Sequence, residues 1–93
     1  MNSEERGKHR RKQLMLRAVE DQLTSPETPE VRAHYERLRS ERHSDMEARE
    51  LIATVLAFYI WHTMRQDGYG YADYVDELAT LPEIDWHEDK NDG

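Results

Sequence analysis

The sequence contains no cysteine, and only four glycines and three prolines occur among its 93 residues. Without cysteine the chain has neither disulfides nor thiolate zinc sites. Its longest unbroken apolar run, Val55 to Trp61, is far shorter than the ~20 residues of a membrane-spanning helix. No apolar segment follows the basic residues near the N-terminus, so we expect no secretory signal. These absences predict a soluble, single-domain, cytoplasmic protein.

Charge is abundant but unevenly distributed. Charged residues make up 35% of the chain and the net charge is -7. From Asp67 onward there are nine acids and one base, Lys90, so this part carries -8 and the first 66 residues carry +1. The simplest interpretation is a solvated acidic terminus. The alternative is an interaction tail that steers a basic partner.

The longest predicted helix covers Ser44 to Gln66, and the rest of the chain is arranged around it. Ser44 and Glu47 have the spacing of a capping box, in which each side chain accepts a hydrogen bond from the other residue's backbone N–H. Asp67-Gly68 supplies the predicted stop, because glycine tolerates the left-handed conformation just past a helix end. A stripe at helical spacing predicts the buried face. The stripe consists of Ala48, Leu51, Ile52, Val55, Leu56 and Tyr59.

The second half of this helix is apolar beyond that stripe. Phe58, Ile60, Trp61 and Met64 lie off the stripe. A helix that is apolar around most of its circumference is normally buried on several sides. We therefore expect the surplus face to meet either the other helices or a second protein chain.

Three shorter helices are predicted from apolar spacing and from their end signals. Pro26 follows the first, Thr28-Pro29 caps the second, and Pro82 ends the last. Short connections between helices predict an all-α fold, a compact and mostly antiparallel bundle of about four helices. The predicted helices cover approximately 10–23, 29–42, 45–66 and 71–81, within a helical domain at 9–82 that lies between a disordered segment at 1–8 and an acidic flexible tail at 83–93.

Residues that could carry catalysis do not form a known pattern. Tyr59 stands where a di-iron bundle would place a glutamate three residues before His62. The chain also lacks a Gly-x-Ser-x-Gly elbow and a glycine-rich phosphate loop. We therefore predict no enzyme activity, no cofactor and no metal site. A metal-dependent or acid–base enzyme that uses His62 with Glu50 or Asp67 is the least favoured alternative.

Aromatic residues cluster near the end of the central helix and in the turn after it. The simpler interpretation is that they form one layer of the core. The alternative is a partly exposed recognition patch, since aromatic residues are enriched at protein interfaces. The leading functional prediction is a non-enzymatic module for protein–protein interaction or self-association. Its predicted partner-binding residues are Phe58, Trp61, Met64, Tyr69 and Tyr71.

A nucleic-acid-associated regulator is the second functional alternative. A basic run near the start of the chain could contact phosphates. The net charge of -7 argues against this function, because it repels a polyanion at long range. The residues that would form this contact are Lys8, Arg10, Arg11, Lys12 and Arg17.

Five short stretches, mostly helix caps and core positions, carry a resemblance to a known kind of protein. They are Glu20-Asp21-Gln22-Leu23, Pro29-Glu30, Arg37-Leu38, Glu50-Leu51-Ile52-Ala53 and Tyr74 through Leu81-Pro82. Over roughly residues 19–82 the chain thereby resembles small all-helical bacterial proteins of unknown function. Such families often have a glycine in the turn before the main helix, where this chain has Arg42-His43. The resemblance implies a helical bacterial protein and carries over no activity and no catalytic residue.

Overall fold

The computed structural model of the protein describes residues 3–84, which form four α-helices and no strand. The helices are α1 (Ser3–Thr24), α2 (Pro29–Ser40), α3 (Asp45–Met64) and α4 (Tyr71–Thr80). The predicted all-α bundle of four helices is confirmed. Within 3–84 no helix has both the length and the apolar character needed to cross a membrane. Most of the predicted acidic tail, residues 85–93, lies outside the described part of the chain.

Helix α1 is longer than predicted at its N-terminal end. It begins at Ser3, whereas the apolar stripe predicted a start near position 10. Residues 3–8, which we expected to be disordered, form its first turns. A stripe marks only the part of a helix that packs on a core, so a polar extension rich in good helix formers such as Glu, Arg and Lys leaves no such signal.

Helix α3 lies at the centre of the fold and packs against α1, α2 and α4. Four residues of its predicted stripe are buried, and Leu51 and Tyr59 pack at the edge of the core. The other helices contribute apolar side chains that close over this stripe. The buried core consists of Val19, Leu23, Val31, Leu38, Ala48, Ile52, Ala53, Val55, Leu56, Tyr74, Leu78 and Leu81.

Both ends of α3 show how the chain enters and leaves the central helix. The capping box is confirmed, because Ser44 Oγ accepts from the Glu47 N–H at 3.0 Å and the Glu47 carboxylate accepts from the Ser44 N–H at 2.9 Å. The helix ends at Met64, two residues before the predicted end at Gln66. Gln66 (φ 56°) already has the left-handed conformation that we had expected first at Gly68 (φ 86°).

Helix α2 also ends two residues earlier than predicted, in a Schellman turn. The His43 N–H donates to the Leu38 carbonyl at 3.1 Å, and the Arg42 N–H donates to the Arg39 carbonyl at 3.0 Å. This turn places Arg42 in the left-handed region, at φ 77°. The strained residue therefore lies in the turn before α3, where glycine would adopt the same conformation without strain.

Replacing Arg42 by glycine is expected to raise the free energy of unfolding by about 0.5–1 kcal/mol. The left-handed conformation costs an L-residue about 1–2 kcal/mol, and the greater freedom of glycine in the unfolded chain offsets part of the gain. Urea denaturation followed by circular dichroism measures the change. Arg32→Gly, inside the same helix, is the control and should lower stability by about 1 kcal/mol. A loss of stability in Arg42→Gly would contradict this explanation.

Candidate interaction surface

An open apolar groove runs between α1 and α3. Its exposed members are Leu14, Trp61 and Met64, which are 57%, 52% and 77% exposed. Ala57 and Ile60 complete the α3 side, because positions 57, 60, 61 and 64 follow the i, i+3, i+4, i+7 spacing of one helix face. We call this surface the α1/α3 groove. It is lined by Leu14, Met15, Ala57, Ile60, Trp61 and Met64.

The α1/α3 groove consists of two adjoining depressions of about 550 and about 380 Å³. Met15 on α1 and Ala57 and Trp61 on α3 line both of them. Each volume lies in the range of ligand pockets. Both depressions are open along one side, so they suit the side chains of a docked segment better than an enclosed small molecule.

Cationic side chains border the α1/α3 groove. Lys12 Nζ reaches across it to Glu50 Oε2 at 3.0 Å. Towards the C-terminal end of α3, Arg11 lines the depression that contains Trp61 and Met64, and the Arg65 guanidinium lies over the Trp61 ring, 4.6 Å from its centroid. Three cations against one carboxylate give this border a positive local charge, although the whole chain is acidic.

An aromatic cluster surrounds His62 next to the α1/α3 groove, and the Trp61 ring meets the imidazole edge-on with the centroids 4.9 Å apart. His62 Nδ1 lies 2.6 Å from Asp67 Oδ2, and its ring stacks on Tyr69 with the centroids 4.8 Å apart. Phe58 meets the same imidazole edge-on at 4.3 Å. These contacts tie the turn after α3 back onto the helix. His62 is thus a half-buried histidine bonded to a neighbour.

The residues proposed for the enzyme alternative are only partly brought together. His62 contacts Asp67, whereas Glu50 pairs with Lys12 more than two turns earlier on α3. Within residues 3–84 no group of three or more His, Asp or Glu side chains could hold a metal ion. The histidine–aspartate pair therefore has a structural role in the turn, and we draw no catalytic role from it.

The five predicted partner-binding residues differ in exposure. Trp61 and Met64 line the α1/α3 groove and are strongly exposed. Phe58 lines the adjoining depression and meets the Tyr69 ring edge-on at 5.6 Å. Tyr71 faces α2, where its hydroxyl donates to Glu30 at 2.7 Å. Phe58, Tyr69 and Tyr71 are half-buried, so the strongly exposed part of the predicted set is Trp61 and Met64.

Tyr71 and Glu30 form a polar contact between α4 and α2. The hydrogen bond from Tyr71 lowers the pKa of Glu30. Burial, reinforced by this bond, raises the pKa of Tyr71 to about 12. The Tyr71 hydroxyl therefore remains protonated at neutral pH and serves as a fixed donor, which indicates a structural role for this residue.

Sequence reasoning missed the α1 side of the groove. Leu14 and Met15 share the helical spacing of Val19 and Leu23, and this spacing predicts that all four belong to the core stripe of the first helix. In the structure Leu14 is exposed and Met15 is half-buried. The stripe continues beyond the part of α1 that the other helices cover, and helical spacing alone cannot show where this cover ends.

The basic residues of the nucleic-acid alternative do not share one surface. Arg11 and Lys12 border the α1/α3 groove. Arg17 instead lines a depression on another face of α1, together with the acids Glu20 and Asp21. Arg10 is exposed, and the Lys8 side chain is not described. Because the cations are spread around the helix, the structure gives no added support to phosphate binding.

Replacing Tyr69 by phenylalanine is expected to raise the free energy of unfolding by about 1 kcal/mol. The Tyr69 hydroxyl is buried and has no hydrogen-bond partner among the described residues. Burial also raises the pKa of this hydroxyl to about 12. A buried unpaired polar group costs about 1–3 kcal/mol, which phenylalanine avoids while it keeps the ring contacts. Thermal and urea denaturation measure the effect, and a loss above 0.5 kcal/mol would show that the hydroxyl has a partner.

Comparison of the chain with protein-family models, with curated proteins and with solved structures gave no match. The resemblance to small bacterial proteins therefore stays a prediction. The function has to be inferred from the surface itself.

Proposed function

We propose that this protein is a non-enzymatic, cytoplasmic interaction module that binds an apolar segment of another protein in the α1/α3 groove. The observation that carries the proposal is the exposure of Leu14, Trp61 and Met64 side by side in one groove. A run of large apolar side chains in a concave surface is a common feature of helix-in-groove recognition. Trp61 is the expected anchor, since tryptophan is enriched among the residues that dominate binding energy.

Charge favours a different chain over a second copy as the main occupant. A twofold dimer would place the same surface on both sides of the interface. Arg11, Lys12 and Arg65 of both copies would then lie in one interface, so that two positively charged borders meet. Like charges across an interface oppose binding. An apolar segment with acidic flanks meets both the floor and the border of the groove.

A matched pair of methionines on α3 provides the test. Met64 lies in the α1/α3 groove, whereas Met46 is 51% exposed and lines a depression elsewhere. We expect Met64→Ser and Trp61→Ala each to reduce recovery of a co-purifying partner at least tenfold, which corresponds to about 1.4 kcal/mol. Met46→Ser should leave recovery unchanged. Tagged proteins from the natural host cell, quantified by mass spectrometry, provide the measurement.

The mass of the protein in solution distinguishes binding of another protein from self-association. Light scattering across a concentration series should give a monomer for the wild type. A dimer that Met64→Ser dissociates would make the groove a self-association surface instead. If neither partner recovery nor solution mass differs between Trp61→Ala and Met46→Ser, the groove is not a binding surface and the proposed function is wrong.

A further inference from the structure

The same chain carries an acidic segment that contains tryptophan and begins directly after the last described residue. Residues 85–93 have four carboxylates, one lysine and Trp86. We propose that this segment docks in the α1/α3 groove of its own chain. Trp86 then lies on the apolar floor, and the carboxylates face Arg11, Lys12 and Arg65. This inference rests on the proposed function, because it gives the same surface an internal competitor for the partner.

The described part of the chain ends close to the groove. Pro82 lines a shallow depression together with Glu50, Leu51 and Thr54 of α3. Glu50 and Thr54 also line the larger of the two depressions of the groove. The chain after Pro82 therefore starts beside one end of the surface that it is proposed to cover.

The segment is long enough to follow the groove to its far end. Nine extended residues span up to ~30 Å. From Glu50 to Trp61 the α3 axis advances only ~16 Å, at 1.5 Å per residue. A tethered segment also has an effective concentration in the millimolar range, so a contact that is weak between separate molecules is populated within one chain.

Charge complementarity selects this segment over a neutral or basic occupant. Its four acids and one lysine give a net charge of -3 with His87 neutral. The border of the groove has three cations and one carboxylate. We had expected the acidic end to steer a basic partner. The basic border makes that end complementary to the groove itself, and at physiological ionic strength such attraction acts within ~8 Å.

Two substitutions in the full-length chain test the proposal from both sides. In a ¹H–¹⁵N correlation spectrum at low salt, Trp86→Ala should shift the Ala57 and Ile60 amide signals and the Trp61 indole signal. Arg11→Glu should in turn shift the amide signals of residues 88–92. Arg17→Glu, with the same charge change on the same helix but outside the groove, should leave residues 88–92 unchanged.

The contrary results are equally distinct. Shifts confined to the neighbours of position 86, or equal effects of Arg11→Glu and Arg17→Glu, would overturn the proposal. Wild-type shifts that change with protein concentration would place the segment on a second copy and would overturn the intramolecular form. The failures of the two proposals also differ. If the groove binds no partner, Met64→Ser and Met46→Ser give the same partner recovery, and the proposed function is wrong. If residues 85–93 do not occupy the groove, the spectra lack the predicted shifts, and only the present proposal is wrong.

Discussion

Replacing Tyr74 by alanine is expected to lower the free energy of unfolding by about 3–5 kcal/mol, the usual range for a large buried aromatic residue. Tyr74 is fully buried, and its ring stacks on Tyr59 of α3 at a centroid distance of 4.9 Å. Its hydroxyl donates to Gln22 Oε1 of α1 at 2.7 Å. The Tyr74 side chain thus connects α4 to α3 and to α1, and its removal leaves a cavity where these three helices meet.

Urea denaturation followed by far-ultraviolet circular dichroism measures this loss. The substitution Tyr74→Phe separates the contribution of the ring from that of the hydroxyl. Phenylalanine keeps the ring and removes one hydrogen bond, so it should cost only about 0.5–1.5 kcal/mol. The contrast with Tyr69 is specific, because the same change there is expected to stabilise the protein. If Tyr74→Ala cost less than about 1.5 kcal/mol, α4 would contribute little to the fold.

Replacing Arg37 by alanine is expected to cost about 2–3 kcal/mol, within the range for hydrogen bonds to charged groups. The Arg37 guanidinium donates to the Leu81 carbonyl at 3.0 Å and to the Leu78 carbonyl at 3.1 Å, and it also pairs with Glu41 at 3.2 Å. Carbonyls at the end of a helix have no partner within it, and a cation there suits the helix dipole. Arg37 therefore holds the end of α4 against α2.

Arg32→Ala is the matched control, measured by the same urea denaturation. Arg32 lies on α2, is exposed and forms the equivalent i, i+4 pair with Glu36 at 3.0 Å, and its contact with the Leu23 carbonyl of α1 is long, at 3.5 Å. Exposed pairs of this kind contribute little, so its loss should cost at most about 0.5 kcal/mol. Arg37→Lys should recover only part of the stability, because an ammonium group cannot donate in a fork to two carbonyls. Equal costs for Arg37→Ala and Arg32→Ala would contradict the role of Arg37.

Local signals were sufficient for most helix ends. Pro29, Pro82 and the Ser44–Glu47 capping box each act within one helical turn, and all three mark helix ends in the structure. The two ends that differ by two residues have Arg42 and Gln66 in the left-handed conformation. Glycine is the usual signal for that conformation, so a helix end formed by arginine or glutamine leaves no recognisable pattern.

The composition of the groove could be predicted only on its α3 side. Helical spacing placed Trp61 and Met64 outside the predicted buried stripe of the central helix, and both are exposed. Whether Leu14 is covered depends on where the other helices lie. The spacing of apolar residues along α1 does not give that information. Tyr69 and Tyr71 were predicted together because both follow the end of the central helix. The extended Gly70 between them (φ -119°, ψ -175°) separates the aromatic cluster from the contact with Glu30.

Site-specific photo-crosslinking from position 61 tests the central claim most directly. A benzophenone amino acid in place of Trp61 would be irradiated in the natural host cell, with the same group at the exposed position 46 as the control. The account predicts a discrete protein adduct from position 61, lost when Leu14→Glu places a charge across the groove, and none from position 46. Adducts of equal yield from both positions, or none from position 61, would contradict the assignment of the α1/α3 groove as the binding surface.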